Sequence, residues 1–364
     1  MAGMPVLEHA RTALRVFKKS GPPLHVVFFV TNICDLTCEH CFLVANGELN
    51  DKTRRLLSLD EIETVARSMP DLVALSLTGG EPFLRKDYGE IVRMFKRHTG
   101  LRMLSTVSNG LRADRMQAQL EPILRDGDLD VMLTLSIDGT EATHDTIRNR
   151  QGAFARTLAS LRELRGLRER YPRFSVGVNS TYIGTNGAEL MALYDMLEEV
   201  RPHFVTLNLM RGVDWTDRPA NLSTDEYRRL TARKNALMAR VGGTATVTQR
   251  LVRAKDAVMT DLVAETYDRQ ASLFPCYGGQ LFGVLKDNGD VFPCEQLTTS
   301  VGNVRDYGLD FMKVWESEAA ARERQFIKDR RCHCTYECVM SANVVFNPRF
   351  YPRLASALLP GSLR

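Results

Sequence analysis

The chain has 364 residues, with 48 Lys and Arg against 44 Asp and Glu, a formal net charge of +4. A balance this close to neutral makes no case for nucleic acid or a membrane surface as partner, and no apolar run approaches the ~20 residues of a membrane span. The length suggests about two domains, and Met1 to Lys19 lacks the apolar stretch of a signal peptide, so a cytoplasmic protein is expected.

The first predicted strand is His25 to Val30, and Cys34, Cys38 and Cys41 follow it directly with the spacing C-x3-C-x2-C. Cysteine thiolates are the usual ligands of iron–sulfur clusters. Three on one loop can hold three irons of a cubane and leave the fourth open to another ligand. Ser58 to Glu61 has the form of a capping box, with Leu59, Ile62, Val65 and Ala66 at helical spacing. The second strand, Leu72 to Thr78, runs into Gly79-Gly80-Glu81-Pro82. Here two glycines permit close approach of the backbone to a ligand, and the carboxylate can receive an ammonium group.

A helix marked by Ile91, Met94 and Phe95 leads to the third strand, Met103 to Ser108, followed by Asn109 and Gly110. The fourth strand, Val131 to Ile137, ends in Ser136-Ile137-Asp138-Gly139. The helix Ala153 to Arg170 carries five arginines on what reads as a solvated face. Strands Phe174 to Tyr182 and Phe204 to Met210 complete a set of six, with caps expected at Asn186/Glu189 and Ser223/Glu226. Arg211 and Asp214 follow the sixth strand as candidate substrate contacts. Six strands alternating with helices imply a parallel α/β sheet, and such folds place their sites at the C-terminal strand ends.

The pattern changes near Gly242, where a charged helical linker begins. Leu281 to Leu285 and Val291 to Phe292 then flank Asp287-Asn288-Gly289-Asp290, a hairpin signal that brings Cys276 and Cys294 together. Phe311 to Ala321 reads as a short helix, then come Cys332, Cys334 and Cys338, and a tail from Asn347 that reads as irregular. No cysteine lies between residues 42 and 275, which suggests two separate metal sites. Taken alone, the five late cysteines would suggest structural zinc; beside the front half, iron–sulfur is the better reading. His333 reads as a bystander.

In this order, the cysteine loop, Gly-Gly-Glu-Pro, Ser-Asn-Gly and Ser-Ile-Asp-Gly resemble the radical S-adenosylmethionine superfamily over about residues 22 to 240. The resemblance implies an open (β/α)6 partial, TIM-like barrel and a [4Fe–4S] cluster on Cys34, Cys38 and Cys41. The open iron would take the amino and carboxylate groups of S-adenosylmethionine. Gly79, Gly80, Glu81 and Pro82 would then serve the methionine end, and Ser108, Asn109, Ser136 and Asp138 the ribose side. His40 stands where many members have an aromatic residue. His144 to Arg148 resembles a subgroup in which the arginine helps hold the cofactor's carboxylate.

The late cysteines resemble the SPASM/twitch extension of the same superfamily, with Cys276 followed by Gly289-x4-Cys294. Five cysteines instead of seven imply one auxiliary [4Fe–4S] cluster on Cys276, Cys294 and two of Cys332, Cys334 and Cys338. The fifth thiol is a candidate hydrogen-atom donor, so Cys334, Cys338 and Arg211 are candidate catalytic residues. The implied organisation is an N-terminal extension (1–21), a barrel (22–241), a linker (242–270), a cluster domain (271–345) and a tail (346–364).

The implied activity is generation of a 5′-deoxyadenosyl radical, with electrons from a flavodoxin- or ferredoxin-like donor, and hydrogen abstraction leading to oxidation or epimerisation. Only about 24 residues precede the first strand, which favours a small molecule such as a sugar or cyclitol. A peptide presented by a separate recognition protein is the alternative. A third reading is an iron–sulfur electron carrier, although carriers usually close their clusters with four ligands.

Overall fold

The computed structural model describes residues 21–217, 219–241 and 247–357; most of the N-terminal extension and the start of the linker lie outside them. Six parallel strands appear where the alternation places them: β1 (His25–Thr31), β2 (Ala74–Gly79), β3 (Met103–Ser108), β4 (Asp130–Ser136), β5 (Phe174–Tyr182) and β6 (Val205–Leu209). The hairpin supplies β7 (Phe282–Leu285) and β8 (Asp290–Phe292), followed by β9 (Gly302–Asn303). All nine form one sheet in the order β6-β5-β4-β3-β2-β1-β7-β8-β9. The C-terminal hairpin therefore extends the barrel sheet: β7 pairs in parallel with β1, Val26 opposite Gly283.

Alternation along β1 explains the layering. Val26, Phe28 and Val30 enter the main core with Ile62, Val65, Phe95, Leu120 and Leu161 from the flanking helices. Val27 and Phe29 point the other way, into a second core with Phe282, Val284, Cys294, Tyr336 and Val339. Each such side chain contributes roughly 1.5–3 kcal/mol on burial, so β1 serves both halves of the molecule. Polar clamps reinforce the junction. Arg305 donates to both oxygens of Glu61, at 2.7 and 2.9 Å, and to the Leu56 and Asn288 carbonyls, and Arg54 reaches Asp287 at 2.7 Å.

The capping box at Ser58 and Glu61 forms as expected, and Ser223 caps through the Glu226 amide. Asn186 does not cap its helix. Its amide instead donates to the Asp138 and Thr181 carbonyls, because a buried side-chain amide satisfies two loop carbonyls that water cannot reach. The helix Ala153 to Arg170 is two pieces that meet at Gly166. Phe311 to Ala321 spans a short helix to Trp315 and the start of a second, Glu318–Lys328, capped by Ser317. The tail is not wholly irregular, since Tyr351–Ala357 is helical. Among the described residues no helix is long and apolar enough to cross a membrane.

Candidate active site

The C-terminal ends of all six barrel strands open on one cavity of about 210 Å³. Its wall takes Cys34, Cys38 and Cys41 from the loop after β1, Gly79 and Gly80 from β2, Ser108 and Asn109 from β3, and Ser136 from β4. Arg148 and Arg211 line it as well. Residues separated by nearly two hundred positions are thus gathered because each follows a parallel strand of the same sheet.

The cysteine loop is held by backbone pairing. Asn50 clamps Cys34 reciprocally: its side-chain oxygen accepts from the Cys34 amide at 3.0 Å and its side-chain amide donates to the Cys34 carbonyl at 3.1 Å. The Cys41 amide donates to the Cys38 carbonyl at 3.1 Å, which turns the loop so that both thiols face the cavity. Gly80 and Glu81 donate to the Thr31 and Ile33 carbonyls, each at 2.8 Å. A Cβ at Gly79 would lie 2.1 Å from the Thr31 carbonyl oxygen, and one at Gly80 would lie 2.2 Å from that of Ile33. The glycines are needed first for this approach to the cysteine loop, a constraint that their motif alone does not reveal.

Glu81 and Asp138, expected to face a cofactor, sit behind the wall. Glu81 is buried and accepts from the Phe83 and Asn109 amides and the Ser108 hydroxyl, so it fastens the β2 loop to the β3 loop. Burial pushes its carboxyl up to about 7 against those three donors. Pro82 begins a buried turn of 3-10 helix. Asp138 is fully buried, accepts from the Thr181 amide and pairs with Arg148 at 2.5 Å. Burial alone would raise Asp138, but Arg148 with His40 and His144 holds it below the usual carboxylate range. Arg148 also reaches the Cys38 sulfur, with Nη1 at 3.5 Å.

His40 lines the cavity, and burial drops it to about 4. Thr181 and Asn208, from the ends of β5 and β6, and Gln296, beside Cys294, complete the wall. The strand-end rule points to the first two; nothing local in the sequence marks Gln296. Arg211 stacks over Tyr336 at 4.3 Å and pairs with Glu295 at 3.4 Å, while Asp214 caps its own loop through Thr216.

The late thiols divide four to one. Cys276, Cys294, Cys332 and Cys334 surround the second core. Burial raises Cys276; burial first and then neighbouring thiols of this set push Cys294 far up and Cys332 and Cys334 to about 12. Cys338, second residue of the helix Glu337–Phe346, stands apart, solvent-exposed, beside Glu295, Tyr336 and Arg211. Neither Cys334 nor Cys338 lines the main cavity. Among the described residues, no three His, Cys, Asp or Glu side chains converge as ligands of a single ion do.

The donor set fits the groups implied. Three thiols on one wall match what a cluster with one free corner needs, and small hydrogen-bonding residues line the same cavity. Four further thiols around one apolar core can close a second cluster.

Comparison with known proteins agrees. Residues 28–199 match the radical SAM superfamily and residues 276–338 match SPASM, an iron–sulfur cluster-binding domain. The chain is similar to an AdoMet-dependent heme synthase of Methanosarcina barkeri, 26% identical over 330 residues, covering 86% of this chain and 88% of the relative. Among solved structures it resembles Streptococcus suis SuiB bound to S-adenosylmethionine, with TM-score 0.62, 16% identity, 88% of this chain and 72% of that one. It also resembles native anSMEcpe with bound AdoMet and Cp18Cys peptide, with TM-score 0.61, 15% identity, 93% of this chain and 99% of that one.

Proposed function

Because the chain belongs to the radical SAM superfamily and carries a SPASM domain, with S-adenosylmethionine and [4Fe–4S] clusters as its cofactors, we propose that it catalyses hydrogen abstraction from a small molecule, leading to oxidation or epimerisation. The observation that carries this reading is the single cavity in which Cys34, Cys38 and Cys41 face the ends of β2, β3 and β4. When bound, the cluster and S-adenosylmethionine supply one-electron cleavage of the sulfonium and a hydrogen-abstracting carbon radical.

The protein's part is to bind, orient and exclude water. Cys34, Cys38 and Cys41 would hold the cluster. The backbone of Gly79 and Gly80, with Ser108, Asn109 and Ser136, would orient the methionine and ribose groups. Glu81 and Asp138 would act from behind by fixing those loops. At about 210 Å³ the cavity lies below the ~300 Å³ lower end of sites for drug-sized ligands, and Asn208, Arg211 and Gln296 of its lining would meet the substrate. Cys276, Cys294, Cys332 and Cys334 would hold an auxiliary cluster able to take an electron from the substrate, which suits oxidation. Since Cys338 is outside the cavity wall, the hydrogen-donor role that epimerisation needs has less support.

The relative of matching length named as a heme synthase supports a small-molecule substrate, though not a sugar in particular. The test is anaerobic reconstitution with iron, sulfide, S-adenosylmethionine and dithionite, with 5′-deoxyadenosine measured by mass spectrometry. Product from the wild type and none from the Cys34→Ala, Cys38→Ala, Cys41→Ala triple variant is expected. A fully loaded protein that forms no product would favour an electron carrier.

A further inference from the structure

We infer that Arg148 sets the reduction potential of the cluster at Cys34, Cys38 and Cys41 by hydrogen bonding to the Cys38 sulfur, with Asp138 controlling how much positive charge it delivers; this rests on those cysteines being the ligands.

The three thiols have unlike surroundings. Cys34 accepts from the Leu36 amide at 3.4 Å and lies near the carboxylates of Glu81 and Asp35. Cys38 is 7% exposed and accepts from a guanidinium. Arg148 is itself 8% exposed, so protein encloses its guanidinium. One side of its fork meets Asp138, which is anchored by the Thr181 amide and by its own amide donating to His144 Nδ1 at 3.1 Å. The loops are stitched beside it as well: the Glu39 amide donates to the Ile147 carbonyl at 2.9 Å and Asn149 donates to the Thr37 hydroxyl at 3.0 Å. A rigid cation is therefore aimed at one sulfur.

Reduction adds one electron, supplied by the external donor, and makes the cluster with its thiolates more negative by one charge. A buried hydrogen-bonded cation stabilises that state more than the oxidised one, and hydrogen bonds to sulfur are among the recognised determinants of cluster potential. Asp138 works the other way by neutralising part of the guanidinium charge. The residue is thus a positioning and tuning group beside the open-corner cluster. The late thiols have no Arg148 contact, so the auxiliary cluster is an internal reference in the same molecule.

The experiment is a dithionite titration, followed by paramagnetic resonance, of the reconstituted full-length protein without S-adenosylmethionine. In Arg148→Gln the reduction equilibrium constant of the open-corner cluster should fall about tenfold, a midpoint lower by about 59 mV for one electron, with the auxiliary midpoint fixed. Arg148→Lys should recover most of the shift, and Asp138→Asn should move the midpoint upward. If Arg148→Gln does not hold its cluster, the opposed shifts of the other two variants decide. A loaded variant whose equilibrium constant stays within twofold of wild type overturns the inference. So does a variant that loses only affinity for S-adenosylmethionine, because Arg148 would then be serving the cofactor's carboxylate. A wild-type protein with no cluster on the three cysteines removes the parent reading too.

Discussion

Gly80→Ala is the sharpest test of how the site is built. The new Cβ would sit 2.2 Å from the Ile33 carbonyl oxygen and 2.5 Å from its carbon, a backbone clash that no rotamer relieves. The β2 loop must retreat, which breaks the bonds from Gly80 to Thr31 and from Glu81 to Ile33. Two backbone hydrogen bonds are worth about 1 kcal/mol each net, and strain or unsatisfied carbonyls bring the expected loss to about 2–4 kcal/mol. Urea unfolding would read the total. Hydrogen exchange across residues 79–84 and iron content would show where it falls, with faster local exchange and loss of iron from the early cysteines while the late set stays loaded. A variant within about 0.5 kcal/mol of wild type, with normal exchange and full iron, would refute the claim that these glycines exist for the approach to the cysteine loop.

Other predictions address the late thiols, the junction and pH. Cys334→Ala should lose the auxiliary cluster whereas Cys338→Ala should keep it, as read from iron content and absorbance; equal loss in both would contradict the four-to-one division. Arg305→Gln removes charged hydrogen bonds to Glu61 in a largely buried setting and should lower stability by about 1–2 kcal/mol, with denaturation midpoint as the measure. His144 is 1% exposed, and burial, then Arg148, lower it from 6.5 to about 4. The unfolded chain takes up a proton below its ordinary pKa that the folded chain refuses. Stability is therefore full above about pH 6.5 and declines as pH falls toward 4, by on the order of 3 kcal/mol from this residue. In His144→Gln the slope of stability against pH across that window should flatten, and an unchanged slope would show that other groups carry it.

The order of residues along the chain carries the alternation of six strands and helices, because period-two and helical apolar patterns are local. It also determined the two groups of cysteines and the loops after β1 to β4, since in a parallel sheet position after a strand is position on the functional face. It did not reveal what each polar residue does once there. Glu81 and Asp138 look like ligand contacts because a carboxylate beside a glycine at a strand end has that chemistry. Folding buries both and surrounds them with donors from loops 27 and 43 positions away, so they fasten loops instead. Arg148 meets Cys38 across 110 residues, and Cys338 lies apart from the other four late thiols in the first turn of the helix Glu337–Phe346. Such contacts depend on which strands are neighbours and how closely loops pack, which no local pattern of residues encodes.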